Sequence, residues 1–119
     1  GAKGARHGTR LPSGRWLLPE RVAAAREIQR DRFRALGVSA ATNAQAPASV
    51  VEQITAPDAK GLAFLREAAE TLALSARGYH RVLKLARTLA DLDGVDTVGR
   101  IHLAEALSYR GEDLARQAA

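Results

Sequence analysis

"SARGYHRVLKLARTLADLDG", residues 75–94, is the stretch on which the fold turns. A serine opens it and a glycine closes it, the side-chain cap and the left-handed terminator that bracket a helix. Between them Tyr79, Val82, Leu83, Ala86, Leu89 and Ala90 form an apolar side. At about 100° per residue, Arg77, Arg81 and Lys84 fall within roughly 60° of one another on the opposite side. The spacing predicts one helix to about Asp93, with core on one side and a basic stripe on the other. Exposed cations in a first turn oppose the helix macrodipole, at about 0.3–1 kcal/mol each. Free N–H groups at a helix start and arginine forks both suit phosphate oxygens. The stripe therefore reads either as a solvated face with carboxylate neighbours or as an anion contact.

The segments around it read as further helices. Pro19 suits a first helical position, and Val22, Ala25, Gln29, Phe33 and Leu36 mark one face up to a capping Gly37. On another side Arg26, Arg30 and Arg34 recur every four residues, either a solvated row or a contact with nucleic acid or a neighbouring subunit. Residues 38–48 read as a loop. Ser49 and Glu52 have capping-box spacing for a short helix through Ile54. Asp58 caps a run to Ala73 with Leu62, Leu65, Ala69 and Leu72 inward. A last helix is expected from about Gly99 to Arg110, with Leu103, Ala104 and Leu107 inward and Gly111 closing it. The expectation is an all-α bundle of four main helices and a short one, with a helical domain over 19–111. Residues 1–18 would be a flexible basic leader, native or vector-derived, and 112–119 a frayed tail. The core should include Val22, Phe33, Leu65, Leu72, Val82, Leu83, Ala86, Leu89 and Leu107.

Composition narrows the function. The chain has 119 residues, enough for a single core. It contains no cysteine, which excludes disulfides and thiolate metal sites. No apolar run approaches the ~20 residues of a membrane span, and no signal peptide is evident. The net charge is +5, but Lys3, Arg6, Arg10 and Arg15 stand in an acid-free leader. The remaining 103 residues carry 14 bases and 13 acids, so the charge of the folded part does not point to nucleic acid. The lack of any methionine, even at position 1, is what a fragment or a processed chain would show.

"LSARGYHRVLKLARTLADLDG" (74–94) followed by "HLAEALSYR" (102–110) resembles the C-terminal end of the magnesium-chelatase-like AAA+ ATPases of the YifB/ComM type. Upstream, "VAAAREIQRDRF" (22–33) and "TNA" (42–44) are similar to segments that precede that motif in the family. The resemblance implies an AAA+ lid in which Arg77 holds the sensor-2 position near the γ-phosphate, with Arg81 and Lys84 as weaker nucleotide-binding candidates. It implies a cytoplasmic parent ATPase that assembles as a homo-oligomeric ring. ATP and Mg would be bound by the parent's own core domain, and DNA processed by the whole. An extra helix before sensor 2 in this clade leaves open whether Arg77 serves its own subunit's nucleotide or a neighbour's. The family name marks kinship with a pigment-pathway subunit rather than demonstrated chelation, and leaves open whether any metal chelation is involved. This chain has no GxxxxGK[ST] phosphate loop, so it is not expected to hydrolyse ATP alone. The alternative is a freestanding helical module binding DNA or protein through Arg26, Arg30 and Arg34 or the Arg77 stripe.

The other constellations are weaker. His7, His80 and His102 are too dispersed for a metal site. Asp91, Asp93 and Asp96 lack the bidentate Glu and central Gly of a calcium loop and read as solvated helix-end carboxylates. Ser75 is a cap, not a nucleophile paired with His80. Tyr79 and Tyr109 suit helix packing better than base stacking.

Overall fold

The computed structural model describes the backbone of residues 18–118 and the side chains of residues 18–109. Apart from Leu18, the expected leader lies outside the described residues. Among those described there are five α-helices and no strand: α1 Pro19–Leu36, α2 Ala48–Thr55, α3 Ala59–Thr71, α4 Ala76–Asp93 and α5 Arg100–Ala118. A 3₁₀ turn, Asn43–Gln45, stands between α1 and α2. The fold is all-α, with the short helix where the sequence placed it.

Helix α4 is the hub. It packs against α1, α2, α5 and the 3₁₀ turn, while α3 packs on α5. Val82, Leu83, Ala86, Arg87, Leu89, Ala90, Asp91 and Leu92 are all buried, so the C-terminal half of α4 is enclosed nearly all round. The main core joins Phe33, Val51, Leu65, Val82, Leu83, Ala86, Val98, Leu103 and Leu107. A smaller cluster of Ala25, Leu89, Leu92 and Tyr109 fastens α1 to α4, with Val22 half-buried at its edge. Arg100 lies over the Phe64 ring, 4.8 Å from its centroid, and ties α5 to α3. Gly61 lets those helices approach, because a Cβ there would stand 3.3 Å from Leu103 Cδ1.

The helix ends follow the expected chemistry at four places. Asp58 Oδ1 accepts from the Gly61 N–H at 2.7 Å, and Ser75 Oγ accepts from the Gly78 N–H at 3.0 Å. Gly37 and Gly94 close α1 and α4 with φ of 69° and 74°. Nothing lies within 4 Å of a Cβ at Gly94, so Gly94→Ala meets no clash and is strained only in its backbone. The expected cost is about 1–2 kcal/mol, read as a lower urea midpoint with an unchanged slope.

Several expectations fail. Leu72 is 46% exposed: α3 ends at Thr71, and a helical stripe has no meaning past the cap. Leu36 is 40% exposed at the last position before Gly37. Ala104 is exposed, because α5 turns His102, Leu103, Ala106, Leu107 and Tyr109 inward instead. Ser49 caps nothing. Pro47 is the N-cap of α2 without a side-chain bond, and Ser49 is already inside the helix, freeing Glu52 for another partner. Gly111 does not end α5, whose backbone continues to Ala118. One glycine costs a helix about 1 kcal/mol, and the Glu, Leu, Ala, Arg and Gln that follow it favour helix.

Candidate functional site

The N-terminus of α4 presents the stripe. Ser75 is extended, φ −72° and ψ 167°, and its cap satisfies one of the orphan donors of the first turn. That turn contains no acid. Arg77 is exposed and has no ion-pair partner among the described residues. Arg81 is also exposed, one turn on. Lys84 is half-buried, and its Nζ donates to the Ala44 carbonyl at 2.9 Å. The stripe thus runs from open solvent at Arg77 to the 3₁₀ turn at Lys84. His80 braces its flank: Nδ1 donates to the Ala76 carbonyl at 2.8 Å, and Nε2 meets Glu52 Oε2 at 2.9 Å. That contact fixes the first turn of α4 to α2.

The α1 row stands on a different helix from the stripe. Arg30 donates to Glu27 Oε1 and Arg34 to Asp31 Oδ1, each at 3.1 Å, within the exposed surface of one helix. Arg26 is exposed beside them.

Sequence reading missed the buried polar cluster beneath. Asp91 was read as a solvated helix-end carboxylate, yet it is 2% exposed. Its Oδ2 and Oδ1 accept from Arg32 Nη1 at 2.9 Å and Nη2 at 2.6 Å, a bidentate pair across α1 and α4. Arg87 Nη2 stands 3.1 Å from Asp91 Oδ1, and Asn43 Nδ2 donates to Oδ2 at 2.9 Å. Asn43 also donates to Thr88 Oγ1, accepts from Arg32, and its backbone N–H donates to Gln29 Oε1. Arg87 reaches three carbonyls, Ile54, Val95 and Asp96, and so caps α2 and pins the α4–α5 loop. Burial lowers its pKa from the ordinary arginine value; Asp91 opposes that shift, and Arg32 adds to it. A guanidinium keeps its charge across the pH range in which proteins stay folded. Only Arg87 Nε is buried without a partner among the described residues. The signal was available: Arg87 and Asp91 are four apart on a helix, among Leu85, Ala86, Leu89, Ala90 and Leu92.

Asp93 and His102, which belong to separate constellations in the sequence, meet in the structure. His102 Nδ1 accepts from the Gly99 N–H at 3.0 Å, which places the ring proton on Nε2, and Nε2 donates to Asp93 Oδ2 at 3.0 Å. Asp93 Oδ1 also meets Arg21 Nη1 at 3.5 Å. The two groups join the starts of α1 and α5 to the end of α4. No group of His, Cys, Asp or Glu among the described residues is arranged to hold a metal ion. None of the described helices is long and apolar enough to cross a membrane.

Residues 17–110 match the family described as magnesium chelatase, subunit ChlI C-terminal. The competence protein ComM of Haemophilus influenzae is 41% identical over 91 residues, 76% of this chain and 17% of the relative. The uncharacterised protein YifB of Escherichia coli is 38% identical over 96 residues, 81% of this chain and 18% of the relative. The chain thus spans less than a fifth of the length of these curated relatives. No solved structure matches it. With the family pattern running from just before α1 into α5, across the whole buried cluster and the Arg77 stripe, this chain belongs to the family of magnesium chelatase subunit ChlI C-terminal domains.

Proposed function

We propose that this domain is the C-terminal lid of a magnesium-chelatase-like AAA+ ATPase, with Arg77 as its nucleotide sensor. The observation that carries this reading is the placement of Arg77: an exposed guanidinium in a capped, acid-free first turn, on a helix whose far half is enclosed. An arginine fork held there suits the terminal phosphate of a bound nucleotide, where it offers two parallel donors and positive charge. Arg81 and Lys84 are secondary, being one and two turns farther along, and Lys84 is already engaged with Ala44.

ATP supplies the transferable phosphoryl group and Mg the charge neutralisation. Both would be held by the rest of the protein, since this sequence carries no phosphate loop. The domain's own part is to move with the nucleotide state against its core domain or a neighbouring subunit in a ring. Following the family resemblance, the work done is DNA processing in the cytoplasm.

The test is ATP turnover by a full-length protein carrying this domain, with and without Arg77→Ala, beside residues 1–119 alone. Residues 1–119 should show no turnover above buffer, and the variant should be impaired. Hydrolysis by the isolated chain, or an unimpaired variant, would sink the reading.

A further inference from the structure

The Arg30 and Arg34 side chains border a groove between the C-terminal half of α1 and residues 38–45, of about 500 Å³. Val38, Ala40 and Ala41 are the apolar residues among those that line it. Every polar side chain that lines it can donate. Besides the two guanidiniums there are the Ser39 hydroxyl and the amide of Gln45, whose Oε1 is already taken by the Ala41 N–H at 2.8 Å. No carboxylate is among the lining residues. Glu27 and Asp31 hold the arginines only through exposed pairs within α1, which contribute little and yield to a better acceptor.

We propose that this groove docks an acidic peptide segment of a protein partner. The two forks suit side-chain carboxylates, and Val38, Ala40 and Ala41 suit their methylenes and an adjoining aliphatic residue. Nucleic acid fits less well. Residues 18–109 carry 12 bases against 11 acids, too even a balance for the many phosphate contacts on which nucleic-acid affinity rests. No aromatic ring lines the groove to stack a base. The inference stands apart from the Arg77 reading, because it rests on a different helix.

A titration of the ¹⁵N-labelled chain, residues 1–119, with a short synthetic peptide alternating Glu and Leu tests it by amide chemical shifts. Saturable shifts are expected at residues 30–45, weakening as salt is raised. Arg30→Gln combined with Arg34→Gln should weaken binding by about tenfold or more. Arg26→Gln, on the same row but outside the groove, should change it by less than about twofold. Three results would overturn the proposal. The peptide could leave those amides unmoved at millimolar concentration. Arg26→Gln could weaken binding as much as the groove pair. A single-stranded oligonucleotide could move the same amides at lower concentration than the peptide.

Discussion

Arg77→Ala in a full-length protein carrying this domain is expected to lower ATP turnover by about 100-fold or more, the usual loss when a charge that stabilises a transferring phosphoryl group is removed. The fold should survive. Arg77 is exposed, points away from the core, and makes no ion pair among the described residues whose loss would be felt. An unchanged thermal midpoint beside the lost turnover separates a site defect from a folding defect. Arg77→Lys keeps the charge and discards the planar fork, so an intermediate rate indicates bidentate contact, and a rate equal to that of Arg77→Ala indicates that geometry decides. Arg81→Ala should be milder because it lies a full turn farther from the helix start. Normal turnover, nucleotide affinity and motor output in Arg77→Ala would reduce the stripe to a solvated face.

The second large effect is on stability. Asp91→Ala should cost about 3–5 kcal/mol, because it strips the counter-charge from two guanidiniums at once. The side chains of Arg32 and Arg87 are only 17% and 4% exposed, so neither can recover its hydration without opening the fold. Asn43 also loses an acceptor, which loosens the 3₁₀ turn against α4. Asp91→Asn should be less severe, since it keeps the volume and an oxygen for Asn43 while giving up the charge. Urea unfolding checks both: the midpoint should fall in the order wild type, Asp91→Asn, Asp91→Ala. A midpoint for Asp91→Ala within experimental error of wild type would mean that the cluster is not a stabilising unit.

How far the sequence could be read depended on what each signal encodes. Ser75, Asp58, Gly37 and Gly94 were legible because capping is local: a hydroxyl or carboxylate three residues from its N–H, or a residue free to take positive φ. The apolar stripe of α4 was legible because its helix is long enough for periodicity to accumulate. Leu72 and Ala104 were misplaced because a stripe gives rotation only to within a residue or so and says nothing beyond the cap. The Arg32–Asp91 pair could not be read locally at all. The two residues are 59 positions apart, and only the crossing of α1 over α4 brings them together. Arg77 was singled out by family resemblance, while its pattern alone favoured a solvated face. The groove beside Arg30 and Arg34 is made by a loop folding back on α1, a shape that no periodicity announces.

If Arg77 is the nucleotide sensor proposed above, the enclosure of α4 at its C-terminal end and the exposure of Arg77 near its start would let the helix act as a lever arm. Asp91 sits in the fulcrum, clasped from α1, from the 3₁₀ turn and by its own helix neighbour. Arg77 sits fourteen residues away, about 21 Å at the helical rise, in a first turn that His80 ties to α2 through Glu52. A tilt of the whole domain by about 5° about that fulcrum would carry the guanidinium roughly 2 Å, the difference between touching a phosphate oxygen and missing it. On the proposed reading of Arg77 as a sensor, the buried cluster would anchor the far end of the helix to α1 and the 3₁₀ turn, so that a rotation at the hub is passed along α4 to its tip.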